Sequence, residues 1–189
     1  VWSAAFSPDG RRVLTAGADG TARLFDLSGR QEAILRGPDG SVRTAVFSPD
    51  GTRVLTACEN GAPRLFDLEG TELAAFRGTQ TSPAPFAAFS PSGDLVVTAS
   101  WDKTARLFDL RGTERAVLRG HEGPVWTAVF SPSGDRILTA SMDRTARLFD
   151  LEGRERAVIR GNARPVRSAA FSPAGDRILT ACEDGIVRM

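Results

Sequence analysis

Tyrosine is absent from the 189 residues, and histidine and lysine occur once each, as His121 and Lys103. Cysteine occurs twice, at Cys58 and Cys182. These scarcities exclude much chemistry. One histidine and two separated thiols leave no metal-spaced cluster, and no glycine-rich phosphate loop compensates, so there is little from which to build an active site. The consecutive-oxygen loops of Ca²⁺-binding repeats are missing despite many aspartates. No apolar run approaches the roughly 18 residues of a membrane span, and no signal-peptide pattern opens the chain. Charge of one sign is also lacking: the formal net charge is +1. Nucleic acid is thereby disfavoured as a partner, and an anionic membrane surface excluded as one. The expectation is no enzyme, no cofactor and no bound metal.

A repeat dominates what is present. Phe-Ser-Pro recurs at Phe6, Phe47, Phe89, Phe130 and Phe171, at spacings of 41, 42, 41 and 41 residues. Each unit reads as four short strands, here lettered A to D. Strand A, VWTAVF-like, stops at a Ser-Pro-x-Gly turn, where Pro presets φ and Gly takes the left-handed conformation. Strand B, RILTAS-like, ends at Asp19-Gly20, Asn60-Gly61 or Asp184-Gly185, strong hairpin signals, with Asp102-Lys103 and Asp143-Arg144 as weaker versions. Strand C is TARLFDL, and Gly29, Gly70, Gly112 and Gly153 lead into strand D. A four-stranded sheet of this size cannot bury both faces alone, and radial stacking does so. The expected fold is an all-β propeller of four complete antiparallel blades and a fifth partial one. It forms a single domain over 1–189, with blades near 1–41, 42–83, 84–124, 125–165 and 166–189. The pattern opens and stops mid-repeat, which predicts either a piece of a larger propeller or a ring completed by a second copy.

These residues resemble the WD40-repeat family across the whole chain. The family's Trp-Asp is Phe25-Asp26, Phe66-Asp67, Phe108-Asp109 and Phe149-Asp150 here, and its Gly-His survives once, as Gly120-His121. The resemblance implies a buried network of His121, Asp143 and either Thr139 or Ser141, shortened by one link because Phe149 has no N–H. It also implies a structural role for the turn carboxylates Asp19, Asp102 and Asp184, which elsewhere rely on turn amides and hydroxyls. Proteins with such near-identical repeats look like regulatory regions of multidomain bacterial signalling proteins, with a kinase, protease or nucleotide-hydrolysing effector. Equivalent positions in separate blades cannot bring Cys58 and Cys182 to bonding distance, so two buried thiols in a reducing, cytoplasmic setting are expected. Pro63 removes a ladder donor and marks the second blade as the weakest.

Because the framework repeats, its departures carry information. They fall at the second residue of strand A (Trp2, Arg43, Pro85, Trp126, Arg167), before the strand B turn (Ala18, Glu59, Trp101, Met142, Glu183), and in the D–A loops PDGS, TQTSPA, HEGP and NARP. In a propeller these share one rim at the channel mouth. Trp2, Arg43, Glu59, Trp101, Trp126, Met142, Arg167 and Glu183 are therefore the candidate partner-binding residues, since Trp and Arg are enriched at hot spots. The expected partner is a protein or peptide, with self-association through open blade edges as the alternative. The recurring arginines (Arg23, Arg64, Arg106, Arg147 and Arg188; Arg36, Arg77, Arg119 and Arg160) are read as solvated charges that cap strand edges and pair with neighbouring acids.

Overall fold

Alternation of apolar and polar residues, punctuated by Gly and Pro turns, produces strands and nothing else. The computed structural model describes residues 1–37, 39–77, 82–160 and 163–189 and contains nineteen strands in five antiparallel sheets. The first sheet is β1 (Ser3–Phe6), β2 (Arg12–Ala16), β3 (Thr21–Asp26) and β4 (Gln31–Arg36), in that spatial order. The second is β5 (Asp39–Phe47), β6 (Arg53–Asn60), β7 (Arg64–Asp67) and β8 (Glu72–Ala75). The third is β9 (Phe86–Phe89), β10 (Leu95–Ala99), β11 (Ala105–Asp109) and β12 (Glu114–Leu118). The fourth is β13 (Val125–Phe130), β14 (Arg136–Ser141), β15 (Ala146–Asp150) and β16 (Glu155–Ile159). The fifth has three strands, β17 (Val166–Phe171), β18 (Ile178–Cys182) and β19 (Val187–Arg188). Among the described residues no helix is long and apolar enough to cross a membrane. Of the D–A loop positions singled out above, Pro38, Thr79, Gln80, Thr81 and Asn162 lie outside the described residues.

The hydrophobic core sits between sheets, not within them. Leu14, Ala16, Ala22 and Leu35 of the first sheet pack on Val42, Val54, Cys58 and Phe66 of the second. Leu55, Leu65 and Phe76 meet Val96 and Phe108 of the third, and Val97, Leu107 and Leu118 meet Val125, Ile137 and Phe149 of the fourth. Leu138, Ala140 and Ala146 meet Val166, Ala169 and Cys182 of the fifth. Period-two alternation gives each sheet two unlike faces: one carries the strand B leucine type, the other the strand C phenylalanine. Backbone bonds tie neighbours together, Val42 N–H to the Gly17 carbonyl and Val125 N–H to the Ser100 carbonyl, each at 3.0 Å. The C–D turns press closely on the preceding sheet. A Cβ on Gly112, at φ +81°, would stand 2.7 Å from the Ala75 carbonyl oxygen. Both cysteines are buried and unpaired with each other.

The Ser-Pro turns contain a clamp that the motif alone does not display. Ser7 Oγ accepts the Arg12 amide at 2.9 Å and donates to Asp9 at 2.5 Å, and Ser48 does the same with Arg53 and Asp50. In the third to fifth sheets the carboxylate comes after the glycine instead of before it. Ser90, Ser131 and Ser172 nonetheless donate to Asp94, Asp135 and Asp176 at 2.7–2.9 Å. Two sequence solutions thus close one turn. Pro63 lies just outside β7, whose ladder with β6 runs from Arg53↔Asp67 only to Thr56↔Arg64. The corresponding ladders of the other four-stranded sheets reach one residue further, to Ala16↔Ala22, Ala99↔Ala105 and Ala140↔Ala146.

Candidate functional site

Strand A begins at the B–C rim and ends at the A–B turns, so the two mouths of the channel are chemically distinct. At the rim, D–A loop carbonyls receive the B–C turn amides: Trp101 N–H bonds Pro83 O, Met142 N–H bonds Pro124 O, and Glu183 N–H bonds Pro165 O, at 2.9–3.1 Å. Three of the five variable strand A residues sit at β-bulges. Ladder register shifts between Val42 and Thr44, between Val125 and Thr127, and between Val166 and Ser168, leaving Arg43, Trp126 and Arg167 as the extra residues. A bulge frees a side chain from strict alternation and re-aims it.

The re-aimed side chains meet in two groups. Arg43 lies over the Trp2 ring, 4.4 Å from its centroid, and pairs with Glu59 at 2.8 Å. Arg167 lies over Trp126 at the same distance and pairs with Glu183 at 2.5 Å. Trp126 also meets Trp101 edge-to-face, centroids 6.3 Å apart. Seven of the eight candidate residues are thus in these two groups, while Met142 stands exposed beside the Pro124 loop. The Arg43 guanidinium holds the Glu59 carboxyl below its ordinary range. Guanidinium stacking on indole fixes the arginine heads in place.

Beneath this rim lies the hydrogen-bond network. His121 Nδ1 contacts Asp143 Oδ2 at 2.7 Å and Nε2 contacts Thr139 Oγ1 at 2.7 Å. With a neutral imidazole, Nδ1–H donates to the carboxylate and Nε2 accepts the Thr139 hydroxyl. Ser141 faces elsewhere, donating to the Gly123 carbonyl and accepting the Asp143 amide. Gly120 precedes the histidine at φ +131°, a backbone conformation that residues with a Cβ rarely adopt. Burial alone would raise the Asp143 carboxyl. The Thr145 hydroxyl, His121 and the Glu122 amide more than reverse this, to about 2.

Two participants escaped sequence reasoning. Thr145 bonds the other Asp143 oxygen at 2.6 Å, and its equivalents Thr21 and Thr104 serve Asp19 and Asp102. Their signal was the Thr two residues after Asp19, Asp102 and Asp143, a position held by Ala62 and Ile186 in the second and fifth repeats. The strand C arginines also require a correction, because in interior sheets they are not solvated charges. Arg106 and Arg147 are buried, and Arg106 bridges Asp102 and Glu114 at 3.0 and 2.9 Å. The equivalent Arg23–Asp19 pair is 42% and 51% exposed against 3% and 8% for Arg106–Asp102, since no sheet packs over it. Asp184 pairs with Arg188 at 2.9 Å. Reliance on turn amides and hydroxyls alone is therefore also corrected: Asp19, Asp102 and Asp184 each have an arginine partner.

The WD40 family model (WD domain, G-beta repeat) matches residues 1–26, 29–67, 70–109, 112–150 and 153–189. The chain belongs to the WD40 family. A search of the curated proteins returned no match. WD40 repeats typically mediate protein–protein interaction, and the fold is generally a non-catalytic scaffold. Among the described residues no three His, Cys, Asp or Glu side chains converge as metal ligands. At the opposite mouth of this WD40 array, the five Phe-Ser-Pro segments line an apolar recess of about 710 Å³.

The WD40 histidine makes a pH prediction. Burial holds His121 below its ordinary value of 6.5, with Asp143 opposing. As pH falls below 6.5, the unfolded chain takes up the proton before the folded one, so stability falls with acidification in that window. Thermal midpoints measured from pH 7 to 5 are expected to decline for the parent chain, and His121→Gln removes that decline. Equal slopes would contradict the assignment.

Proposed function

We propose that the chain is a binding scaffold whose protein or peptide partner docks on the B–C rim around Trp2, Arg43, Glu59, Trp101, Trp126, Met142, Arg167 and Glu183. The observation that carries this reading is the pair of Trp–Arg–Glu stacks at one rim, built around the bulge residues Arg43, Trp126 and Arg167. Both stacks present aromatic and guanidinium surface already ordered by its neighbours, so little side-chain entropy remains to be lost on association. Random-peptide display against the chain supplies the test. Peptides so selected are expected to bind the Trp101→Ala/Trp126→Ala variant at least ~30-fold more weakly, as hot-spot truncations do. A matching loss of thermal midpoint, or undiminished binding, would sink the reading. Arg167→Ala, which leaves both rings in place, is the companion variant.

One observation favours a second reading, self-association. Among the described residues, eight of the eleven large apolar side chains that are exposed lie in the first and fifth sheets: Val1, Trp2, Phe6, Leu27, Leu179, Ile186, Val187 and Met189. Leu179 is 42% exposed where its equivalents Leu14, Leu55, Val97 and Leu138 are at most 1%. The open face of the first sheet carries Phe25, the residue type that receives such a leucine elsewhere. Head-to-tail pairing of copies would cover both faces. Sedimentation of the chain at increasing concentration is expected to show assembly that Leu179→Asp abolishes, whereas a monomer throughout would eliminate this reading.

A further inference from the structure

Departures shared by two adjacent sheets of a near-identical array are the most informative feature of the rim. In the first, second and fifth sheets the B–C turn places glycine in the left-handed region: Gly20 at φ 77°, Gly61 at 115° and Gly185 at 77°. In the third and fourth, the equivalent position is held by Lys103 at 71° and Arg144 at 69°, the two non-glycine residues with positive φ among those described. A Cβ crowds the following carbonyl in this conformation, so glycine is the residue the backbone favours. Strain of this kind collects at functional sites. Two residues before each cation the same turns carry Trp101 and Met142, where the other sheets have Ala18, Glu59 and Glu183.

Both cations are exposed, as are Trp101 at 38% and Met142 at 50%. Trp126 joins the two turns through its contact with Trp101. The turn carboxylates are held inward, Asp102 by Arg106 and Asp143 by His121. Glu122 is exposed on this arc, and Glu183 beyond it is paired with Arg167. The outward surface thus sets two cations and two apolar side chains against the single carboxylate of Glu122, whereas the other sheets present glycine beside small or acidic residues.

We propose that the arc Trp101, Lys103, Trp126, Met142 and Arg144 binds an acidic peptide segment carrying an aliphatic or aromatic side chain. The apolar side chain covers Trp101 and Met142, and flanking carboxylates meet Lys103 and Arg144. This rests on the rim reading above and names its partner class. A nucleic acid fits less well: two cations beside an exposed thioether make no track for successive phosphates, and the chain's net charge is only +1.

Display selection with random 12-residue peptides is expected to enrich Asp or Glu around an apolar residue. The selected peptides should bind the Lys103→Gly/Arg144→Gly variant roughly tenfold more weakly, and binding of the parent should fall as salt rises. The thermal midpoint of that variant should be unchanged or higher, because glycine relieves the strain. Peptides lacking acidic residues that still depend on Trp101 and Trp126 would overturn this inference and leave the rim reading standing. Peptides indifferent to both tryptophans, or no enrichment at all, would overturn both. Tighter binding of a single-stranded DNA 12-mer, dependent on Lys103 and Arg144, would replace the peptide with nucleic acid and also overturn it.

Discussion

Truncating Phe149 to alanine is expected to cost about 4 kcal/mol, because the ring is fully buried between the third and fourth sheets and its cavity cannot collapse onto a rigid β framework. For a chain of this length that corresponds to a fall of roughly 10 °C in melting temperature. The same substitution at Phe25 provides an internal control of identical chemistry. Phe25 occupies the equivalent strand position but stays partly exposed, since no sheet covers it. Its truncation should cost less than half as much. Urea or thermal unfolding of the two variants measures the contrast, and equal losses would show that the inter-sheet core does not carry stability as described.

A comparably large effect is expected from Asp143→Ala. One carboxylate there serves Thr145 through both hydroxyl and amide, His121, and the Glu122 amide. Removing it strands the buried imidazole N–H and leaves amides without acceptors, a loss of about 3 kcal/mol. Asp19→Ala deletes the same position where the carboxylate is open to water, and little change should be measurable. Asp143→Asn, which keeps an acceptor, is expected to fall between parent and alanine. The discriminating measurement is hydrogen exchange of the Thr145 and Glu122 amides, whose protection should drop selectively in Asp143→Ala.

Strand identity and antiparallel order were legible because each strand's alternation and each turn's Gly or Pro recur at one spacing. The pairing of His121 with Asp143 was legible for a related reason: both residues belong to spaced family dipeptides and turns. The choice of Thr139 over Ser141 was not, because both lie on strand B two residues apart and only the placement of the D–A loop decides which one the imidazole meets. The burial of Arg106 and Arg147 was equally hidden. A local sequence records charge, whereas burial of these guanidiniums is imposed by the preceding sheet, more than thirty residues away. The rim residues could be named from variation alone. Their grouping into Arg43 on Trp2 and Arg167 on Trp126 depends on bulges, which leave no signature in period-two patterning.

The position of the core between sheets has a consequence for how the molecule comes apart. No sheet possesses an interior of its own, so cooperativity in this array is a nearest-neighbour property. Opening should spread inward from whichever end unzips first, and the third sheet, flanked on both sides by two neighbours, should be the last to exchange its amide protons.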